Sequence, residues 1–452
     1  LSRIAKNKSA YNVLIIGVDA VSRLNLYRTM PKTVSFIKSN GGVDFFGYNK
    51  VGDNTFPNLV PLLMGVKDTE LKQTCMPHAL ASFDNCPFVW EWFKQAGYYT
   101  AFAEDSARLG TFNYVKTGFI STPTDYYIHT FMSEAEKHAG SNIKLSTFIC
   151  MNDRYFYNVL LDYIVDLTMT LKKDKLFGLF WEATMSHDYL NTPMVMDDSY
   201  SKLFINLNAS NYLDNTIIFF ISDHGIRWGP IRATKQGRLE ERLPFLFVLA
   251  PSSFRENYTK AYDNLKLNAK RLTTPFDVYM TLVDLIDLNN IKDDVIIARS
   301  NQSYTQGRGI SLFLPIPTNR TCAMAGIDDH WCTCHKRIAL PKESLEGLEI
   351  GNQLMIHLNA LLQDHPECSR LSLAEILEIK EMVSGTPEKH EEGWREFMTV
   401  VRTIPGGGIF EATLRYDGQE WTLAGTISRL NLYGTQSRCI HDYQLKLYCY
   451  CH

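Results

Sequence analysis

No apolar run in the 452 residues approaches eighteen, so nothing here is expected to span a bilayer as a helix. A basic stripe with interleaved aromatics is also missing and the net charge is only −3, which excludes nucleic acid as an expected partner. A disordered-tail composition is absent too: 45% of residues are hydrophobic and 21% charged, the balance of a folded globular chain. The chain opens Leu1-Ser2-Arg3, without an initiator Met or a signal peptide, as a processed or trimmed ectodomain does. Membrane contact is therefore expected only through a tether outside this chain. At 452 residues the chain is too long for one ordinary core. A large α/β domain over 1–318 and a smaller Cys-rich α+β subdomain over 319–452 are expected, divided near Pro315-Ile316-Pro317.

Cysteine is not scarce, and its placement separates the two parts. Cys75 and Cys86 share a Pro-containing loop, and Cys150 stands alone. Cys322, Cys332, Cys334, Cys368, Cys439, Cys449 and Cys451 fall in the last third. The C-x-C pairs Cys332-Thr333-Cys334 and Cys449-Tyr450-Cys451, each followed by a His, invite zinc, but structural zinc sites more often space their ligands C-x2-C. Five N-x-S/T sequons, at Asn7, Asn208, Asn257, Asn301 and Asn319, point to secretion and glycosylation instead. All ten cysteines are therefore disulfide candidates, and the expected location is extracellular or luminal.

Two apolar runs end in acids. Ile217 to Ile221 leads into Ser222-Asp223-His224-Gly225, and Val13 to Val18 leads into Asp19; each reads as a buried strand of a parallel sheet whose carboxyl end is a place for a site. Asp19, Asp223 and His224 together read as one metal site; singly, the acids read as caps of the segments that follow. In Gly52-Asp53-Asn54-Thr55-Phe56-Pro57-Asn58, Pro57 belongs in the first turn of a helix running to Met64. That puts Thr55 at or beside the N-cap, either as an ordinary cap or as a hydroxyl among free amides suited to an anion. Further strands are expected at Tyr98–Ala103 and Leu176–Trp181, and helices at Pro31–Ser39, Phe88–Gln95, Asp153–Leu171, Tyr200–Tyr212 and Pro275–Ile286. Glu104-Asp105 reads as a solvated turn or as a contribution to the same rim, and His187 as a further rim candidate. This alternation predicts a doubly wound, mostly parallel α/β sheet with helices on both faces.

In the last third, helices are expected at Ser344–Leu362 and Ser372–Met382. Strands are expected at Glu396–Ile404, Ile409–Tyr416, Trp421–Ile427 and Tyr443–Tyr450, with Asp417-Gly418 as a hairpin turn.

Gly17-Val18-Asp19, Asn54-Thr55-Phe56-Pro57-Asn58, Ser186-His187 and Ser222-Asp223-His224-Gly225 resemble, in that order, the motifs of the alkaline phosphatase and sulfatase superfamily. Lys235 to Phe245 is similar to its Lys-x4-Glu segment, and Gly309-Ile310-Ser311-Leu312 to its closing Gly-x-Ser-Leu. The likeness covers roughly 11–315 and is nearest an animal extracellular branch catalogued as a domain of unknown function. Sulfatases need a convertible Cys or Ser in C/S-x-P-S/A-R, whereas the corresponding stretch here is Thr55-Phe56-Pro57-Asn58, with Thr first and Asn last, so formylglycine chemistry is not available. Thr-Phe-Pro-Asn is instead the spelling of nucleotide pyrophosphatase-phosphodiesterases. Their second zinc site is not matched, because Ala183 stands four before His187 and no His lies between His224 and His330. What remains is similar to the one-metal phosphoethanolamine and glycerophosphate transferases.

The resemblance implies that Asp19, Thr55, Asp223 and His224 hold one divalent ion, Zn or Mn. It implies Thr55 as nucleophile, His187 as the partner of a phosphate oxygen or of the leaving group, and Asn54, Lys235 and Arg238 as substrate-binding residues. The implied substrate is a phosphorylated glycan or lipid head group, hydrolysed or transferred. A sulfatase-like esterase and an inactive binding scaffold are the alternatives.

Overall fold

The computed structural model describes residues 10–78, 80–144, 146–301, 307–383, 394–442 and 444–452. The chain divides into two units. The first comprises Leu1–Ile226 and Gln236–Gly326, the second Arg227–Lys235 and Ile327–His452. The division after Gly326 falls beyond the expected 318/319 boundary, and the short segment Arg227–Lys235 goes with the later unit.

The first unit is built on strands β1 (Asn12–Val18), β2 (Val43–Asp44), β3 (Tyr99–Glu104), β4 (Tyr126–Tyr127), β8 (Leu176–Glu182), β9 (Thr216–Ile221) and β10 (Leu246–Leu249). Their order across the sheet is β2-β10-β9-β1-β8-β3-β4. The run β9-β1-β8-β3-β4 is parallel, and β10 and β2 close one edge antiparallel. Every residue of β1, β8 and β9 is buried, which is why these strands are written as continuous apolar runs rather than as alternations. Leu14, Ile16 and Val18 pack with Val34 and Ile37 of the helix Pro31–Ser39, with Leu160 and Ile164 of Phe156–Thr170, and with Leu203 and Phe204 of Asp197–Ala209. A small antiparallel sheet of β5 (Gly140–Lys144), β6 (Thr147–Met151) and β7 (Arg154–Tyr155), not foreseen from the sequence, lies between β4 and β8 in the chain.

The second unit holds β11 (Lys336–Ala339), β12 (Ser372–Val383), β13 (Arg395–Ile404), β14 (Ile409–Tyr416), β15 (Trp421–Leu423) and β16 (Ser428–Arg429) in one antiparallel sheet. The helix Leu345–Leu361 begins at the expected place, where the Ser344 hydroxyl caps it by accepting from the Gly347 amide at 3.0 Å. Asp417-Gly418 makes the β14–β15 turn, the Asp417 carboxylate accepting from the amides of Gln419 and Glu420.

Two expectations fail here. Ser372–Met382 is strand β12 and not a helix. Its register against β13 shifts between Leu373 and Glu375 and again between Ile376 and Glu378. Each irregularity inserts an extra residue, so Ile376 and Ile379, three apart across the second shift, pack in the same core, while Met382, three further along a regular stretch, is buried in a separate cluster with Met398 and Val400; burial at intervals of three imitates a helical period. No strand forms over 444–450: Leu445–Leu447 is a single 3₁₀ turn, and Tyr443 lies outside the described residues. Disulfides Cys368–Cys449 and Cys439–Cys451 fix that terminus instead.

The remaining cysteines divide. Cys75–Cys86 is a disulfide, and Cys322 and Cys332 are disulfide-bonded. Cys150 and Cys334 are free thiols, against the expectation that all ten pair: Cys150 is buried in β6 and Cys334 is exposed. Asn208, Asn257, Asn301 and Asn319 are exposed, as glycan acceptors must be, whereas Asn7 lies outside the described residues.

Gly17 explains the first motif. It sits opposite Trp181 in the β1–β8 pair, and a Cβ at residue 17 would run into the indole ring. Trp181 is only 1% exposed and has nowhere to go. Gly17→Ala is therefore expected to cost about 1–3 kcal/mol by overpacking, read as a lowered thermal unfolding midpoint. An unchanged midpoint shows that the ring has room to shift.

Candidate metal centre

The site follows from register. Gly17 of β1 lies beside Ile221 of β9, so two residues further along each chain Asp19 and Asp223 leave the sheet as neighbours. The turn after β1 is strained: Ala20 adopts φ 58°, a left-handed conformation that a residue with a Cβ rarely takes. In return the Ala20 amide donates to Asp223 Oδ1 at 3.1 Å and the Val21 amide to Ser222 Oγ at 3.0 Å. Asp223 Oδ1 also accepts from the His224 amide at 2.9 Å. One oxygen of Asp223 is thus spent on the backbone, while Oδ2 is buried without a hydrogen-bond partner.

His224 is oriented from its other side. Its Nδ1 lies 2.8 Å from the Gly225 carbonyl, which can only accept, so Nδ1 carries the proton and Nε2 the lone pair. Nε2 stands 3.2 Å from Asp223 Oδ2 and 3.7 Å from Asp19 Oδ1. Electron pairs facing one another at that distance repel unless a proton or a cation lies between them. Donor atoms about 2 Å from a tetrahedral ion are about 3.3 Å apart. Asp19, Asp223 and His224, all buried, offer three ligand atoms within 4.8 Å of one another and form a group able to hold a metal ion. A carboxylate pair with one neutral imidazole suits a borderline divalent cation.

Thr55 joins this group. The helix Thr55–Met64 starts three residues earlier than Asn58, with Asn54 as N-cap and Pro57 in the first turn. Pro61 inside the helix lacks the amide for a further bond, so a ten-residue helix with two prolines is weak alone. Burial of Phe56 through Met64 holds it in place. The Thr55 hydroxyl donates to Asp19 Oδ1 at 3.4 Å. The Asn54 side-chain oxygen is buried without a partner.

The other expected residues are placed as follows. His187 follows β8, and its Nδ1 is 2.9 Å from Asp188 Oδ1. Asp188 is held in turn by the amide and hydroxyl of Ser146. Its carboxyl lies below the usual range because the His187 and Ser146 bonds outweigh the burial that opposes them. Lys235 is exposed at the start of the helix Lys235–Arg242 and belongs to the second unit, whereas Arg238 is buried and belongs to the first.

Sequence reasoning missed how acidic the rim is. Glu104 and Asp105 are not a solvated turn: both are buried, at the end of β3, and Glu182 is fully buried at the end of β8. Along the order β9-β1-β8-β3, the strand ends present Asp223, Asp19, Glu182 and Glu104-Asp105 in a row. Burial pushes Glu104 up to about 7, against hydrogen bonds to its Oε1 from the amide and hydroxyl of Thr111. Asp105 is likewise pushed up to about 7 by burial, although Ala183 and Thr184 donate to it. Burial and then Asp105 raise Glu182 well above the carboxylate range.

A mostly parallel α/β sheet with carboxylates and an imidazole converging at its carboxyl rim is the class of protein that fold and site define. Within it, the chain belongs to the family described as protein of unknown function DUF229, whose model matches residues 2–377. None of the curated proteins compared matches the chain. Solved structures similar to it include a protein in the alkaline phosphatase superfamily from Vibrio parahaemolyticus. That pair has 12% identity and a TM-score of 0.45, covering 99% of this chain and 90% of that one. The C-terminal periplasmic domain of EcEptC from Escherichia coli has 14% identity and a TM-score of 0.43, covering 63% and 84%. The lipoteichoic acid synthase LtaP from Listeria monocytogenes has 11% identity and a TM-score of 0.41, covering 63% and 75%.

Glu104 provides a pH test. An acid whose pKa is higher folded than unfolded stabilises the fold while protonated in both states, below about 4.5, and that contribution is lost as pH rises through about 7. Glu104→Gln keeps an oxygen for Thr111 and removes the charge. The variant is expected to match the parent near pH 4 and to exceed it at pH 8 by up to about 3 kcal/mol, measured by denaturant unfolding.

Proposed function

We propose that this protein is an extracellular, metal-dependent phosphodiesterase or phosphotransferase that uses Thr55 as nucleophile on glycan- or lipid-linked phosphate of the phosphoethanolamine type. The observation that carries the reading is His224 Nε2 facing Asp223 Oδ2 at 3.2 Å beside the Asp19-bound hydroxyl of Thr55. Asp19, Asp223, His224 and Thr55 are the residues that would hold the ion, Zn²⁺ or Mn²⁺. When bound, such an ion supplies the Lewis acidity that brings an alcohol's pKa toward neutrality.

Thr55 Oγ1 already points its proton at Asp19 Oδ1, which sets the oxygen's lone pairs toward an incoming phosphate. The Thr55 hydroxyl gives up its proton to water as the new bond joins Oγ1 to phosphorus and the bond to the leaving alcohol breaks. His187, steadied at Nδ1 by Asp188, presents Nε2 to the departing oxygen and gives it a proton. Amides at the start of the helix Thr55–Met64 favour negative charge on the phosphoryl oxygens. Asn54 is assigned to one of those oxygens through its amide nitrogen, and Arg238 to the remaining charge. Water then releases the phosphoryl group from Thr55, or a sugar hydroxyl accepts it.

The disulfides and the four exposed sequons support an oxidising, extracellular compartment. Among the described residues no helix is long and apolar enough to cross a membrane.

Purified protein is expected to carry about one equivalent of zinc or manganese and to hydrolyse bis-p-nitrophenyl phosphate, losing both after chelation. Thr55→Ala keeps the metal and lowers turnover at least about 10²-fold, whereas Asp223→Asn loses metal and turnover together. Faster turnover of p-nitrophenyl sulfate than of the phosphodiester overturns the assignment. So does an unchanged rate in Thr55→Ala.

A further inference from the structure

One side chain makes four hydrogen bonds to the loop that delivers Thr55. Asn58 is completely buried one turn into the nucleophile helix, and its amide oxygen accepts from the Val51 amide at 2.8 Å and the Gly52 amide at 3.2 Å. Its nitrogen donates to the Gly52 carbonyl at 3.0 Å and the Asn54 carbonyl at 2.8 Å. A carboxamide has two acceptor lone pairs and two donor hydrogens, and all four are used on the segment entering Thr55. No other residue type fits: Asp has no donors, Ser has too few, and Gln carries an extra methylene into a space with no exposure. Gly52 and Pro57 allow the fold-back, because Gly52 lies flat on the Pro57 ring where a Cβ would collide. From the other side, Lys50, itself buried and paired with Glu241, donates to the Asp53 carbonyl at 3.0 Å.

We infer that Asn58 is the positioning residue of the reaction, setting the Asn54–Thr55 backbone so that the Thr55 hydroxyl lies on Asp19. It touches neither phosphate nor metal, and acts through the carbonyls and amides of residues 51–54. The inference rests on Thr55 being the nucleophile, so its test includes a measurement independent of turnover. A misplacement of about 1 Å in a reacting group costs on the order of 10² in rate, whereas a role in folding alone leaves the folded fraction fully active.

Asn58→Ala and Asn58→Asp are compared with the parent by amide hydrogen exchange, metal content and steady-state kinetics on bis-p-nitrophenyl phosphate. In Asn58→Ala the amides of residues 51 and 52 are expected to exchange at least about tenfold faster, with β1 and β9 unchanged. Metal content stays at the parent level. The kcat falls on the order of 10²-fold with KM within about twofold. Asn58→Asp keeps the two acceptor bonds and loses the two donors, so its loss is intermediate; it also serves if the Ala variant does not fold. Unchanged exchange at 51–52 overturns the inference, as does full kcat per folded, metal-loaded molecule in both variants. If the parent itself does not turn over phosphodiester while exchange rises as expected, the proposed function fails and Asn58 is left as a loop anchor only, which also overturns the positioning role.

Discussion

The structure depends on how it tolerates a line of buried acids. Parallel pairing of β9, β1, β8 and β3 sets their carboxyl ends side by side, and each end carries at least one carboxylate. Such a row cannot be ionised throughout in a dry interior. Three devices relieve it. Asp105 draws hydrogen bonds from Ala183 and Thr184, and Glu104 from Thr111. Burial and then Asp105 push Glu182 well above the carboxylate range, which favours its neutral form. At the β1–β9 end His224 Nε2 faces Asp223 Oδ2, and Asp19, Asp223 and His224 form a group able to hold a cation. The rim thus runs from acids at β3 and β8 whose neutral form is favoured by burial to Asp19 and Asp223 at β1 and β9, in the group able to hold a metal ion.

This gradient decides what the sequence could disclose. An apolar run ending in Asp is visible without coordinates, because a strand buried on both faces has no other way to be written. Asp19, Asp223 and His224 were legible for that reason, and Thr55 because Pro57 marks a first helical turn. Glu104-Asp105 was not legible: two acids after a strand are spelled the same whether they meet water or Thr111 and Thr184. Ala20 gave no signal either, since Ala is not the residue that ordinarily occupies a left-handed turn.

The error at Ser372–Met382 has the same origin. Period three and period 3.6 are hard to separate over eleven residues, and here the spacing comes from one bulge between Ile376 and Glu378 and from Met382 being buried in a separate cluster. β13 is regular against β14 while β12 carries two register shifts against β13, a difference that no local pattern discloses. Likewise, Cys150 and Cys334 are indistinguishable from their bonded counterparts by spacing alone; Cys334 even lies within 4.8 Å of Cys322 and Cys332, which are already disulfide-bonded.

The two sides of the site are therefore built on different principles. Asp19 and Asp223 are placed by strand register, so their separation is fixed by the same hydrogen bonds that hold the sheet, and little short of unfolding will change it. Thr55 comes from a short, proline-bearing helix whose leading loop crosses no strand. Its position has to be specified by side chains, through the four bonds of Asn58, the contact of Gly52 with Pro57 and the reach of Lys50 to Asp53. A rigid ligand pair opposite a locally anchored hydroxyl concentrates sensitivity in that loop. Substitutions there alter the placement of the Thr55 hydroxyl while leaving Asp19 and Asp223 where the sheet puts them.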